Sequence, residues 1–247
     1  VLLKSSSARL GGELERVGIP VVYLDFETPE QYPRDLAGLG SLLGAEGRAR
    51  ELSSYFARAV GAVRTPTAPL DPSKKPRTLL VQYSERGGAV AFSVPPAEWI
   101  QTKMVEEAGG IPLWKAAAER GGWTIVNLEQ IAAWDPDVVL VVSYAAPATR
   151  PVADLMADTK WQALRATREH RVFAFPGDFC SWDQPDTRWG LGLIWTATRL
   201  HPQLFHEVDM TAEIVRFYSL YGVDEADIRT KILPLIQESI GQVQNEK

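Results

Sequence analysis

The stretch Asp178-Phe-Cys-Ser-Trp182-Asp183-Gln-Pro-Asp186-Thr-Arg188 crowds three carboxylates, a tryptophan and an arginine into one loop. The pattern predicts a helix from about Asp186 to Leu200, which places Arg188 in its first turn. A cation there faces the positive end of the helix dipole and loses roughly a few tenths of a kcal/mol. Something must offset that loss. One partner is Asp183 or Asp186; the other is an anionic ligand held bidentately by the planar guanidinium. Trp123, Trp182 and Trp99 offer large rigid faces suited to the flat part of an organic ligand. The chain has 8 tryptophans, so most must be structural. Trp161 and Trp195 lie on helical stripes and are assigned to the core. Tyr83 ends a strand and is a hard-oxygen ligand or a packing residue. Lys4 and Ser5 end another strand, where a lysine meets an anion or solvent.

The rest of the inventory argues against an enzyme. The 3 histidines show no zinc spacing. No Gly-x-Ser-x-Gly, no phosphate-binding Gly-rich loop and no dinucleotide fingerprint occurs. The single cysteine, Cys180, has no histidine base nearby and allows no internal disulfide. No catalytic residue, cofactor or metal-ligand set is therefore expected. The net charge of −5 gives no basic footprint for nucleic acid. No apolar run approaches the ~20 residues that span a bilayer.

The loop and its companions need a scaffold, and the pattern is α/β. Val1-Leu2-Leu3 reads as a buried strand, Ala8 to Val17 as a helix and Ile19 to Phe26 as a second strand. A strand–helix–strand order points to a parallel unit, whose ligands lie beyond the carboxyl ends of the strands. Residues 1–44 make this first lobe. Residues 45–63 carry one apolar stripe on a helix of about 28 Å. A Pro/Thr/Ser-rich loop closes the 45–76 segment. Residues 77–205 make a second lobe, with strands at 78–83 and 89–94 joined at Gly87-Gly88. Trp99 to Ala108 is a helix, Trp161 to Thr167 a short one, and Arg171 to Phe175 a strand. Residues 206–247 hold two helices, Asp224 capping the second, and a tail that frays from Gln237. His201 sits at a helix end, where a cation complements the dipole.

Within the second lobe, Trp123-Thr-Ile-Val-Asn127-Leu-Glu129-Gln-Ile-Ala-Ala-Trp-Asp135-Pro-Asp137 leads into Val138–Val142. Asn127 can cap a short helix, Asp135-Pro136 ends it, and the apolar run reads as a strand covered on both faces. This phrase resembles the C-terminal lobe of the helical-backbone substrate-binding proteins of ABC importers, which capture ferric siderophores, haem, cobalamin or metal ions. Leu36–Gly44, Gly109-Gly110, the segment 161–173 and the Leu191–Phe205 run are similar to the same family. The last run resembles a subgroup handling iron complexes and, in some members, oxyanions such as molybdate.

The resemblance implies two Rossmann-like lobes with parallel-rich sheets joined by a rigid spine helix, the first lobe incomplete. A secretion signal or lipid-bearing cysteine would lie upstream, and the protein would work as a monomer at the periplasmic or extracellular face. It implies an inter-lobe cleft for an iron-siderophore or similar metal chelate, with Arg188, Trp123, Trp182, Asp183, Tyr83, Lys4 and Ser5 as ligand-side residues. Trp123 matches a ligand-lining tryptophan of cobalamin binders. Glu129 matches the glutamate that docks on the membrane permease. Corrinoid, haem and molybdate or tungstate are the other cargoes implied. A sensor or scaffold domain that lost transport is the alternative role.

Overall fold

The computed structural model describes residues 1–119 and 121–241. They fall into two compact units, residues 1–58 and the described residues from 59 onward. The first contains β1 (Leu2–Leu3), α1 (Ala8–Arg16), β2 (Val22–Tyr23) and α2 (Gln31–Leu43). The following helix α3 (Glu46–Thr67) begins in this unit and ends in the second. β1 and β2 pair in parallel. The expected strand forms as Leu2–Leu3 but is not buried as expected: Val1 is 56% and Leu2 50% exposed.

β2 is far shorter than the Ile19–Phe26 strand expected, and the cause is visible. The backbone N–H groups of Asp25 and Phe26 donate to Asp35 Oδ2 at 2.7 and 2.9 Å. Asp25 in turn accepts from the Ser5 N–H and hydroxyl, each at 2.7 Å. Side-chain acceptors thus take the amides that a ladder would need, and Phe26 turns to a positive φ of 53°. Gly44, at φ 64°, caps α2 in the left-handed region. At Gly40 a Cβ would stand 2.5 Å from the Ala49 Cβ, so only glycine lets α2 and α3 approach this closely. Tyr32 and Phe56 fill the space beside them, ring centroids 4.9 Å apart.

α3 runs four residues past the expected end, through Pro66. The Thr67 hydroxyl donates to the Val63 carbonyl at 2.8 Å, and the Ala68 N–H reaches Arg64 O at 2.8 Å. These bonds carry the helix over the one amide that proline lacks.

The second unit is built on a six-stranded sheet. Its strands are β3 (Arg77–Arg86), β4 (Ala89–Val94), β5 (Ile111–Pro112), β6 (Thr124–Val126), β7 (Val138–Val142) and β8 (Val172–Ala174). The order is β6-β4-β3-β7-β8, with β5 also on β3. β3, β7 and β8 run parallel; β4 is antiparallel to both β3 and β6. The hairpin turns at Gly87 and Gly88, both at positive φ, as a tight connection requires. All five residues of β7 are buried, the mark of a strand covered on both faces.

Helices α4 (Ile100–Glu107), α5 (Leu128–Trp134), α6 (Thr149–Ala157), α7 (Arg165–Arg168), α8 (Trp189–Leu200), α9 (Met210–Leu220), α10 (Glu225–Asp227) and α11 (Leu233–Gly241) complete the unit. α4 packs on α8, and α8 on α9. Every residue of α8 is buried, which is why it reads as apolar all round. Trp161 and Trp195 are core rings as expected. Asp224 caps as expected, its carboxylate accepting from Ala226 N–H at 2.8 Å. The helix after it continues through Gln237 to Gly241; the rest of the expected fraying tail lies outside the described residues.

His201 corrects an expectation. It stands at the end of α8 but is buried, its Nε2 3.3 Å from the Gly109 carbonyl oxygen. Burial pushes its pKa down, so the ring is not the dipole-complementing cation predicted.

Candidate functional site

Both chemically loaded segments sit where an α/β sheet presents ligands. β7 ends at Val142 and leads into Tyr144; β8 ends at Ala174 and leads into the loop ending at Arg188. Parallel strands offer this carboxyl edge for binding.

The loop's arginine is occupied by its own neighbours. Arg188 Nε lies 2.8 Å from Asp178 Oδ1, whose carboxylate is fully buried, and Nη1 lies 3.2 Å from Asp186 Oδ2. Asp178 also accepts from the Trp182 indole N–H at 3.1 Å, from the Phe179 N–H and from the Tyr218 hydroxyl. These carboxylates raise the Arg188 pKa in spite of partial burial. Asp186 was an expected partner; Asp183 was the other, and it does not serve. Asp178, overlooked in the sequence, takes its place. Arg188 precedes α8 rather than sitting inside its first turn, because Asp186 Oδ1 accepts the Arg188 N–H at 2.7 Å and delays the helix.

Trp182 and Asp183 are 0% exposed, so neither offers a surface to a ligand. Trp182 is a core ring tied to Asp178. Asp183 accepts from the Tyr144 hydroxyl at 2.6 Å and from Gln101 Nε2 at 3.2 Å. Burial raises its pKa; the Ser181, Tyr144 and Gln101 side chains oppose this, and among the described residues no cation does.

Trp123 is half-buried and belongs to an aromatic row. Its ring meets Trp99 edge-on at a centroid distance of 6.0 Å and Tyr144 at 6.0 Å. Tyr144 is 42% exposed although its hydroxyl points inward. The sequence reading missed it. The signal was present: an aromatic residue two positions beyond the carboxyl end of a fully buried parallel strand.

The remaining predicted residues are placed elsewhere. Tyr83 pairs across the hairpin with Phe92, ring centroids 6.1 Å apart, and its hydroxyl donates to Glu85 at 3.5 Å. Lys4 and Ser5 belong to the first unit, where Lys4 pairs with Glu27 and Ser5 with Asp25. Among the described residues no group of three or more His, Cys, Asp or Glu side chains is placed to hold a metal ion. Glu129 is exposed in the first turn of α5, which Asn127 caps by accepting the Gln130 N–H at 2.8 Å. A carboxylate at that end complements the helix dipole. Among the described residues no helix is long and apolar enough to cross a membrane.

The chain belongs to the periplasmic binding protein family, whose model matches residues 3–179. It is 30% identical over 119 residues to the molybdate-binding protein MolA of Haemophilus influenzae, a match covering 48% of this chain. That match spans 32% of the relative's length. Among solved structures, the periplasmic solute binding protein of Veillonella parvula superposes with a TM-score of 0.73 at 23% identity, over 95% of this chain and 70% of that one. The ABC transporter solute binding protein of Sulfurospirillum deleyianum gives 0.74 at 21% identity, over 90% and 68%. At such identities the structural likeness speaks for the fold.

Proposed function

We propose that this chain is the substrate-binding component of an ABC importer, working outside the cytoplasmic membrane and holding a small metal chelate of the ferric-siderophore kind. The observation that carries this reading is the row Trp99–Trp123–Tyr144, a set of rigid rings partly open to solvent beside the end of β7. Ring faces recognise flat organic ligand surfaces for about 0.5–1.5 kcal/mol each beyond simple burial. Arg188 supports the site indirectly, since its charge is already matched by Asp178 and Asp186. Glu129, exposed on α5, is suited to docking on a basic patch of the permease. The protein binds as a monomer in this reading.

Molybdate or a similar oxyanion is the second reading, favoured by the 30% match to a molybdate-binding protein. Tryptophan fluorescence separates the two. The protein is titrated with a ferric tris-catecholate complex and with sodium molybdate, and again as Trp123→Ala. Saturable quenching by the ferric complex, weakened several-fold in the variant, is expected. A response to molybdate alone would replace the first reading by the second.

A further inference from the structure

We infer that Asp183 is a positioning residue for ligand capture: it holds the Tyr144 hydroxyl inside the second unit so that the ring stands fixed beside Trp123 with one face open. The inference rests on the proposal that this aromatic row meets the ligand. Its substance is a division of labour between a buried group and an exposed one.

The geometry is specific. Tyr144 is 42% exposed, yet its oxygen is drawn 2.6 Å from Asp183 Oδ2. Asp183 is 0% exposed and Gln101, whose amide reaches the same oxygen at 3.2 Å, is 2% exposed. Gln101 Oε1 is buried with no hydrogen-bond partner among the described residues, and the Ser181 side chain is a further donor to Asp183. A tyrosine at a strand end is otherwise free to turn about two torsions, and fixing such a side chain on binding costs about 0.5–1.5 kcal/mol. Holding it in advance moves that cost from the binding step to folding.

Stability alone does not account for this arrangement. A carboxyl group buried without a cation loses solvation that a few hydrogen bonds from neutral donors do not restore, and the pKa of Asp183 stays raised by burial despite three such donors. An apolar side chain of similar volume would serve the core as well or better. The group retained here has one exposed consequence, the orientation of the Tyr144 ring against Trp123. The carboxylate contributes by accepting a hydrogen bond, so an amide oxygen at the same place should substitute for it.

The test uses Asp183→Asn, Asp183→Leu and Tyr144→Phe, each titrated with the ferric tris-catecholate complex and with molybdate. The order of the Tyr144 ring is followed by NMR on protein carrying ring-13C tyrosine, without ligand. We expect Asp183→Asn to keep both ring order and affinity within about twofold. Asp183→Leu should release the ring and weaken binding by about threefold to tenfold, with a thermal midpoint no lower than that of the unaltered protein. Tyr144→Phe should weaken binding to the same degree. An equally ordered ring in Asp183→Leu would overturn the inference, as would a released ring with unchanged affinity. If the unaltered protein binds neither probe, the cargo reading falls; ring order in Asp183→Leu then decides the positioning role by itself.

Discussion

Asp178 and Asp183 lie five residues apart in one loop, and both carboxylates are buried. Asp178 is surrounded by donors: the Arg188 guanidinium, the Trp182 indole, the Tyr218 hydroxyl and the backbone N–H groups of Phe179 and Cys180. Asp183 has the hydroxyls of Tyr144 and Ser181 and the Gln101 amide, and no cation among the described residues. Both side chains are shut off from water; their partners differ. The first carboxylate anchors the loop to α8 and α9 as part of a charged network. The second is a poorly compensated polar group whose visible effect is to orient an exposed ring. Burial of an acid therefore says little about its role until its donors are counted.

That contrast can be broken most sharply at Asp178. Asp178→Ala would leave Arg188 partly buried with Asp186 as its nearest carboxylate, and would strip partners from Trp182 and Tyr218. Removing one member of such a pair costs about 3–5 kcal/mol. Urea denaturation should show a loss near the lower end of that range, because Arg188 retains some solvent contact. A loss below about 1 kcal/mol would mean the network is not what holds the loop.

The loop's backbone supplies the next effect. At Gly192 an added Cβ would press into the Trp182 carbonyl oxygen, so glycine lets α8 lie directly under the segment that joins the two carboxylates. Gly192→Ala should destabilise by about 1–3 kcal/mol, as overpacking does. The same variant should disturb ligand titrations, since the displaced segment carries Asp183. Normal stability in thermal melts would show that the loop yields freely.

A comparison point outside the loop is Asn127. Its cap on α5 rests on one hydrogen bond to Gln130 N–H at 2.8 Å. Asn127→Ala should cost about 1 kcal/mol and leave ligand affinity unchanged, which denaturation and fluorescence titration together would check. Lost affinity would tie α5 to the binding surface and blur its separate docking role.

The sequence was most legible where local rules act alone. The buried run of β7, the Asn127 cap, the Gly87-Gly88 turn and the core positions of Trp161 and Trp195 follow from periodicity and turn chemistry. What was hidden depends on partners distant in sequence. Arg188 meets Asp186 as expected but not Asp183, and Asp178 and Tyr218, 40 residues apart, complete its surroundings. Trp182 looked ligand-facing because it sits in a polar loop, but its indole N–H found a buried acceptor and its ring joined the core. The strand at Ile19 was overestimated because Asp35 draws its amides away. Tyr144 escaped notice since nothing near it in sequence marks the carboxylate, 39 residues on, that fixes it.

The smallest expected effect concerns Asp183 itself and depends on pH. Its folded-state pKa is raised by burial above the ordinary value of 3.8, so the folded protein gives up this proton less readily than the unfolded chain does. A raised folded pKa makes a contribution to stability that is complete below the unfolded value and is lost as pH rises through the folded one. At neutral pH the carboxylate must therefore be ionised at a cost or hold its proton against solution. Asp183→Asn removes that burden while keeping an oxygen for Tyr144. The variant should be more stable than the unaltered protein at pH 7, and its advantage should shrink as pH falls toward 4, within the window between the unfolded and raised folded values. Thermal melts of both proteins across this range give the answer. Asp178→Asn should behave in the opposite sense at neutral pH, losing stability, because there the charge itself is matched by Arg188. If both asparagine variants shift stability in the same direction, the presence of a cation does not separate the two carboxylates, and the neutral donors Tyr144, Ser181 and Gln101 compensate Asp183 as fully as Arg188 compensates Asp178.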